Sequence, residues 1–206
     1  MAISTYSELK TAVANWLNRS DLTSRVPEFI AIAEGEISRR VRCRFNEKRV
    51  TASISTQYFD IPSNFIEMRN FQLNTDPIVH LNYVTPEQMD LSAPDATTGQ
   101  PKYYTIHGTE FELKPVPDTT YTAAMTYFYR LTAFSGDNDT NTLLTSYPDI
   151  YLYASLLAAQ PFLIDDSRIQ LWDSLLSGAI KEVNDIDKIG RFSGTSLYSK
   201  PRTKPE

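Results

Sequence analysis

The sequence predicts an α+β protein: a helical bundle of about four helices with an inserted small antiparallel β domain and an extended C-terminal tail. Three observations carry this reading. Apolar residues recur at helical spacing near both ends of the chain, the middle changes to strand-like alternation rich in β-branched and aromatic residues, and the last residues show no period. The boundaries fall at 1–45 and 143–189 for the bundle, 46–142 for the β insertion and 190–206 for the tail.

The first helix starts near Tyr6, because Thr5 and Glu8 have the spacing of a capping box and can satisfy the free amides of a first turn. Leu9, Val13, Trp16 and Leu17 form its apolar stripe, and Asn18 to Asp21 its closing turn. A second helix runs from about Ser24 to Arg44, tolerates Pro27 in its first turn and lines one face with Val26, Ile30, Ala33, Ile37 and Val41. Neither helix can bury a stripe alone, so they must pack on each other or on later helices.

After Phe45 the period drops to two, and strands are expected at Val50 to Ile54, Tyr58 to Ile61, Phe65 to Leu73, Ile78 to Tyr83, Tyr103 to His107, Glu110 to Leu113 and Tyr121 to Leu131. His107-Gly108-Thr109 reads as a hairpin tip, and Thr85-Pro86 as the start of a short helix. A polar loop at Ser135 to Asp139 leads to a third helix at Tyr147-Pro148-Asp149, with Ile150, Tyr151, Ala154, Leu157 and Ala158 inward and Pro161 ending it. Asp165-Asp166 opens a fourth, with Ile169, Trp172, Leu176, Ala179 and Val183 as its stripe and an end before Gly190.

Composition narrows the function. With 41% hydrophobic and 22% charged residues the chain is expected to fold, and no apolar run approaches the ~20 residues of a membrane span. The start MAISTYSELK has no signal-peptide pattern, so the protein is expected to stay in the cytoplasm where it is made. Two histidines and one cysteine fall short of a zinc ligand set, and seven scattered glycines form no phosphate-cradling loop, so neither metal nor cofactor is expected. No GxSxG elbow is present. Cys43 lies between Arg42 and Arg44, whose field would favour a thiolate, but its only bases would be His80 and His107 in strand contexts.

The best catalytic alternative is a peptidoglycan hydrolase using a carboxylate pair, drawn from Glu28, Glu34 and Glu36 on the second helix and Glu110 and Glu112 beside the hairpin tip. Against it, glutamates on a helix ordinarily solvate its polar side, and Glu34 and Glu36 point to different faces. An enzyme is therefore not expected. Arg39, Arg40, Arg42, Arg44, Lys48 and Arg49 form a basic run that either complements a helix C-terminus or meets an acidic partner or nucleic acid. A net charge of −5 speaks against phosphate-gripping as the main work of the chain.

Tyr103, Tyr104, Tyr121, Tyr127, Phe128 and Tyr129 crowd the β segment; alternation assigns one set to the core and the other to a protein contact. Arg191, Phe192, Leu197, Tyr198 and Lys200, spaced among small polar residues, read as an arm that orders on docking, or else as a plain disordered end. The residues taken as candidate contacts are those five of the arm, and Arg39, Arg40, Arg42, Tyr103 and Tyr104.

Several segments together carry a family resemblance: Tyr6-Ser7-Glu8-Leu9 with Trp16-Leu17, Ile30-Ala31-Ile32-Ala33-Glu34 leading to Arg39 and Arg40, and Gly99-Gln100-Pro101-Lys102-Tyr103-Tyr104. Leu113-Lys114-Pro115-Val116-Pro117-Asp118, Asn141-Thr142-Leu143-Leu144 and Tyr147-Pro148-Asp149-Ile150-Tyr151 complete it. In this order of parts the chain resembles the head-to-tail adaptor, or connector, proteins of tailed phages, particularly the short-tailed ones. The resemblance implies a structural virion protein made in the host cytoplasm, forming a twelve-membered ring at the head-tail junction. Its helical part would face the portal protein and its β part the tail nozzle or tail fibre protein. The segment from Arg191 onward would run along the portal, while DNA passes through the channel without specific binding.

Overall fold

The computed structural model of the chain describes residues 3–92, 97–163 and 167–192. They form an α+β protein in two compact units, one of Met1–Phe45 with Thr132–Glu206 and one of Asn46–Leu131. The return to the helical unit comes at Thr132, so residues 132–142, assigned from sequence to the β part, belong with the helices. The reason is contact: Phe134 stacks on Tyr6 at 5.4 Å, and the carbonyls of Asp139 and Asp137 accept from the Tyr6 and Ser7 amides at 2.8 and 3.0 Å.

Helix α1 (Tyr6–Leu17) starts as its capping box predicts: Thr5 Oγ1 accepts from the Glu8 amide at 3.3 Å, and Glu8 Oε2 accepts from the Thr5 amide at 3.1 Å. Asn18 ends it at φ 53°, a left-handed conformation that asparagine tolerates. The buried stripe is Tyr6, Leu9, Val13 and Leu17. Trp16, expected within it, lies to one side, 46% exposed and edge-on to Tyr153. A 3₁₀ turn at Ser20–Arg25 leads to α2 (Val26–Arg40), which buries Val26, Phe29, Ile30, Ala33 and Ile37 and ends four residues earlier than Arg44.

Helix α3 (Pro86–Ser92) belongs to the β unit and is considered with it. The short helix α4 (Thr142–Ser146), unforeseen in sequence, is capped by Asn141, whose Oδ1 accepts from the Leu144 amide at 2.8 Å. Helix α5 (Pro148–Ala158) buries Ile150, Tyr151, Leu152, Ala154, Ser155 and Leu156, so it is apolar nearly all round and touches α1, α2 and α6 (Arg168–Phe192). Leu157 and Ala158, expected inward, are only half-buried. Pro161 sits in a 3₁₀ turn, Gln160–Phe162. The expected start of α6 at Asp165-Asp166 lies outside the described residues. Its buried stripe is Trp172, Leu176, Ile180 and Val183, with Ile169 and Ala179 half-buried. The helix runs through Gly190 to Phe192, since one glycine inside a helix costs only about 1 kcal/mol relative to alanine.

In the β unit, strands β1 (Glu47–Ile54), β3 (Phe65–Leu73), β4 (Val79–His80) and β8 (Tyr121–Tyr129) form one antiparallel sheet in the order β1-β8-β3-β4. Strands β2 (Tyr58–Asp60), β5 (Asn82–Tyr83), β6 (Tyr103–His107) and β7 (Glu110–Lys114) form the second, in the order β2-β7-β6-β5. The single strand expected at Ile78 to Tyr83 is divided at buried Leu81, and its halves join different sheets. β5 pairs with β6 in parallel, so the expected all-antiparallel insertion is corrected there. Both sheets contribute to one core: Ile54, Phe71, Leu73, Ala123, Met125 and Tyr127 from the first, and Tyr104, Phe111 and Leu113 from the second. Gly108 supplies the positive φ of 57° that the β6–β7 turn requires. Thr85 Oγ1 accepts from the Gln88 amide at 3.4 Å, as expected of a cap on α3.

Candidate functional site

The candidate contacts at the end of α2 are resolved by α6. Asn184 Oδ1 accepts from the Arg42 amide at 2.9 Å while its Nδ2 donates to the Arg40 carbonyl at 3.1 Å, and Asp187 Oδ1 accepts from the Arg44 amide at 3.0 Å. One side chain thus serves both the last carbonyl of α2 and the amide that leaves it. The guanidinium of Arg40 donates to Glu36 at 2.6 Å and to Ser177 Oγ at 3.0 Å, and that of Arg42 donates to the carbonyls of Ser38 and Val41, both at 2.8 Å. Arg40 and Arg42 therefore hold the helix end, whereas Arg39 is exposed and has no ion pair among the described residues. Replacing Asn184 with alanine strands both backbone groups, and the expected result is a loss of about 1–3 kcal/mol in chemical unfolding.

The candidate carboxylates do not converge. Glu34 is half-buried and Oε1 accepts from the Phe134 amide at 2.8 Å; Glu36 is the partner of Arg40; Glu28 and Glu110 are exposed. Glu112 is buried in the β unit, where Oε2 lies 2.9 Å from His107 Nε2 and Oε1 accepts from Gln57 Nε2 at 3.1 Å. Buried Lys114 lies 3.7 Å from Glu112 and 3.6 Å from Asp90. His80 Nδ1 is 3.1 Å from Asn70 Oδ1, and Cys43 is buried in the helical unit. Neither histidine is in the same unit as the thiol.

Of these carboxylates Glu34 anchors the returning segment, while Asp139 within that segment and Glu8 at the start of α1 each tie down local backbone amides. Asp139 Oδ2 accepts from the Gly136 and Ser135 amides at 2.7 Å each, which holds it below its ordinary value, and amides and hydroxyl of Ser4 and Thr5 do the same for Glu8. Burial pushes the Glu34 carboxyl up, opposed by the Phe134 amide. The signs are opposite. The depressed pair contributes stability that is complete above the unfolded value of about 4 and fades as pH falls through the lowered values; the share from Glu34 is present at low pH and fades as pH rises through its raised value. Asp139→Ala is expected to lower the thermal midpoint at pH 7 and to converge with wild type by about pH 2, measured as a pH series of melts.

Among the candidate aromatics, Tyr104 is 7% exposed and packs on Phe71 at 5.1 Å, so it is a core residue, not a partner contact. Strand alternation could have separated it from half-buried Tyr103, which pairs with Lys114. Tyr127 is also core, and Phe128 is buried beneath Arg69 at 5.4 Å. The exposed large apolar groups of this unit are instead Tyr58, Ile78, Tyr83 and Leu91, which sequence reasoning did not single out as contacts. The first two arm residues are corrected as well: the backbones of Arg191 and Phe192 form the last turn of α6, so the helix continues into what was read as extended chain. Leu197, Tyr198 and Lys200 lie outside the described residues.

Among the described residues no group of three or more metal-ligating side chains occurs, and no helix is long and apolar enough to cross a membrane. Charged and polar groups here tie off helix ends and anchor connecting segments. The chain belongs to the SU10 adaptor protein family, whose model matches residues 4–197 and so takes in both units. This agrees with the resemblance read in the sequence and places the protein among phage structural proteins of the head-tail junction. No curated protein matches the chain.

Proposed function

We propose that the protein is the ring between portal and tail, built of twelve copies and lining the channel through which DNA passes. In this reading α1, α2, α5 and α6 form a four-helix bundle facing the portal, the β unit faces the tail nozzle or tail fibre protein, and the chain beyond α6 is an arm along the portal. The observation that carries it is a family match that runs through both units and ends at residue 197, inside the proposed arm. A net charge of −5 suits a lining past which phosphates slide without sticking. The test is to mix the purified chain with the portal protein of the same phage. A closed ring on the portal in electron micrographs is expected, and sedimentation of the two as separate species would overturn the reading.

A further inference from the structure

Helix α6 carries a second apolar stripe besides its buried one. Leu171, Leu175, Ile186 and Ile189 recur along it and are between 40% and 68% exposed. At 100° per residue they lie roughly a quarter-turn away from Trp172, Leu176, Ile180 and Val183, which face the core of the unit. Gly178 and Glu182 fall on the same line; Glu182 is exposed with no ion pair among the described residues, and a Cβ at Gly178 would meet nothing within 4 Å.

Helix α2 has an outward line of the same spacing. Ile32, 56% exposed, is followed three residues on by Gly35 and four further by Arg39, exposed and likewise without an ion pair. Leu175, Gly178 and Glu182 repeat that interval. When the two helices are set side by side in the same direction with glycine against glycine, Ile32 meets Leu175 and Arg39 meets Glu182, so apolar and charged positions match together. The paired glycines let the backbones come close, since helix separation follows the side chains at the contact. Within one copy the chain leaving α2 runs alongside α6 in the same sense, Arg42 at Asn184 and Arg44 at Asp187. Rotation about an axis along the helices keeps that sense between copies.

We infer that the α6 stripe of one copy docks on the α2 line of the next, the glutamate of one meeting the arginine of the other. The two surfaces differ and both belong to the helical unit, so the contact is head-to-tail, the kind that closes into a ring. This inference rests on the ring reading above and names the surfaces that build it.

The experiment uses two full-length chains, Gly35→Cys and Gly178→Cys, assembled together on the portal protein and oxidised. Cys43 is buried, and a Cβ at Gly35 makes only ordinary contact, 3.6 Å from the Arg39 guanidinium. A disulfide-linked pair is expected in the mixture and in neither chain alone. Separately, Glu182→Arg is expected to weaken assembly about tenfold or more by setting like charges together, and adding Arg39→Glu to restore it. Rings that form normally in wild type but give no mixed disulfide, with Glu182→Arg assembling as well as wild type, overturn this contact and leave the ring standing. A disulfide from the Gly178→Cys chain to the portal instead assigns the stripe to the portal and also overturns it. If wild type forms no ring, both fall.

Discussion

Phe111→Ala is expected to remove about 3–5 kcal/mol from the β unit, a large share of the stability of a domain whose total is on the order of 5–15 kcal/mol. The ring is fully buried and touches four others: Phe59 at 5.2 Å and Tyr104 at 6.1 Å from its own sheet, and Phe65 at 5.5 Å and Phe71 at 5.8 Å from the facing sheet. Truncation leaves a void that neither sheet can close without moving its partner strands, so the cavity adds to the lost transfer energy. Amide exchange should locate the loss in β3, β6 and β7. Both tryptophans, Trp16 and Trp172, lie in the helical unit, so their emission follows that unit separately. Tyr58→Ala, at an exposed position of the same unit, is the control and is expected to change stability by no more than about 0.5 kcal/mol. Equal urea midpoints for Phe111→Ala and wild type would refute the shared-core account.

Removing residues 193–206 is expected to leave unfolding within about 0.5 kcal/mol of wild type and to weaken portal association about 100-fold or more. Leu197 and Tyr198 are the large apolar groups of that segment, and a few such anchors carry most of the energy of an interface. A cut after Gly190 also removes Arg191 and Phe192, the last two helical residues, so comparing the two truncations separates the helix end from the segment beyond it. Portal binding at wild-type strength, read by co-sedimentation, would refute a part in docking for the segment beyond the helix if shown by the truncation after Phe192, and for the helix end as well if shown by the truncation after Gly190.

What was legible in the sequence is what neighbouring residues decide. The capping box of Thr5 and Glu8, the inward face of α2 and the turn at Gly108 each follow from residues a few positions apart. The end of α2 does not, because Asn184 and Asp187 close it from more than a hundred positions away and nothing near Arg40 announces them. The division of Ile78 to Tyr83 between two sheets is likewise a matter of which edge each half meets. Of the candidate contacts, charge alone grouped Arg39, Arg40 and Arg42, whereas the structure separates two that brace a helix end from one that is exposed. Alternation sets Tyr103 and Tyr104 on opposite faces, but that the face of Tyr104 is the covered one depends on Phe71 from the other sheet, which no neighbouring residue announces.

The order in which the two units can form during synthesis follows from how they are cut along the chain. Asn46–Leu131 is one uninterrupted stretch, but α1 and α2 depend on α5, which leaves the ribosome roughly 110 residues after α2 has appeared, a wait of about 5–20 s at ordinary elongation rates. In that interval the apolar faces of the first two helices have no permanent cover, while the sheets can already close on themselves. Nascent chains arrested shortly after Leu131 has cleared the exit tunnel should therefore protect the β unit from protease and leave residues before Phe45 open to cleavage. Of the two units, the one whose synthesis starts first is thus the later to acquire its shape.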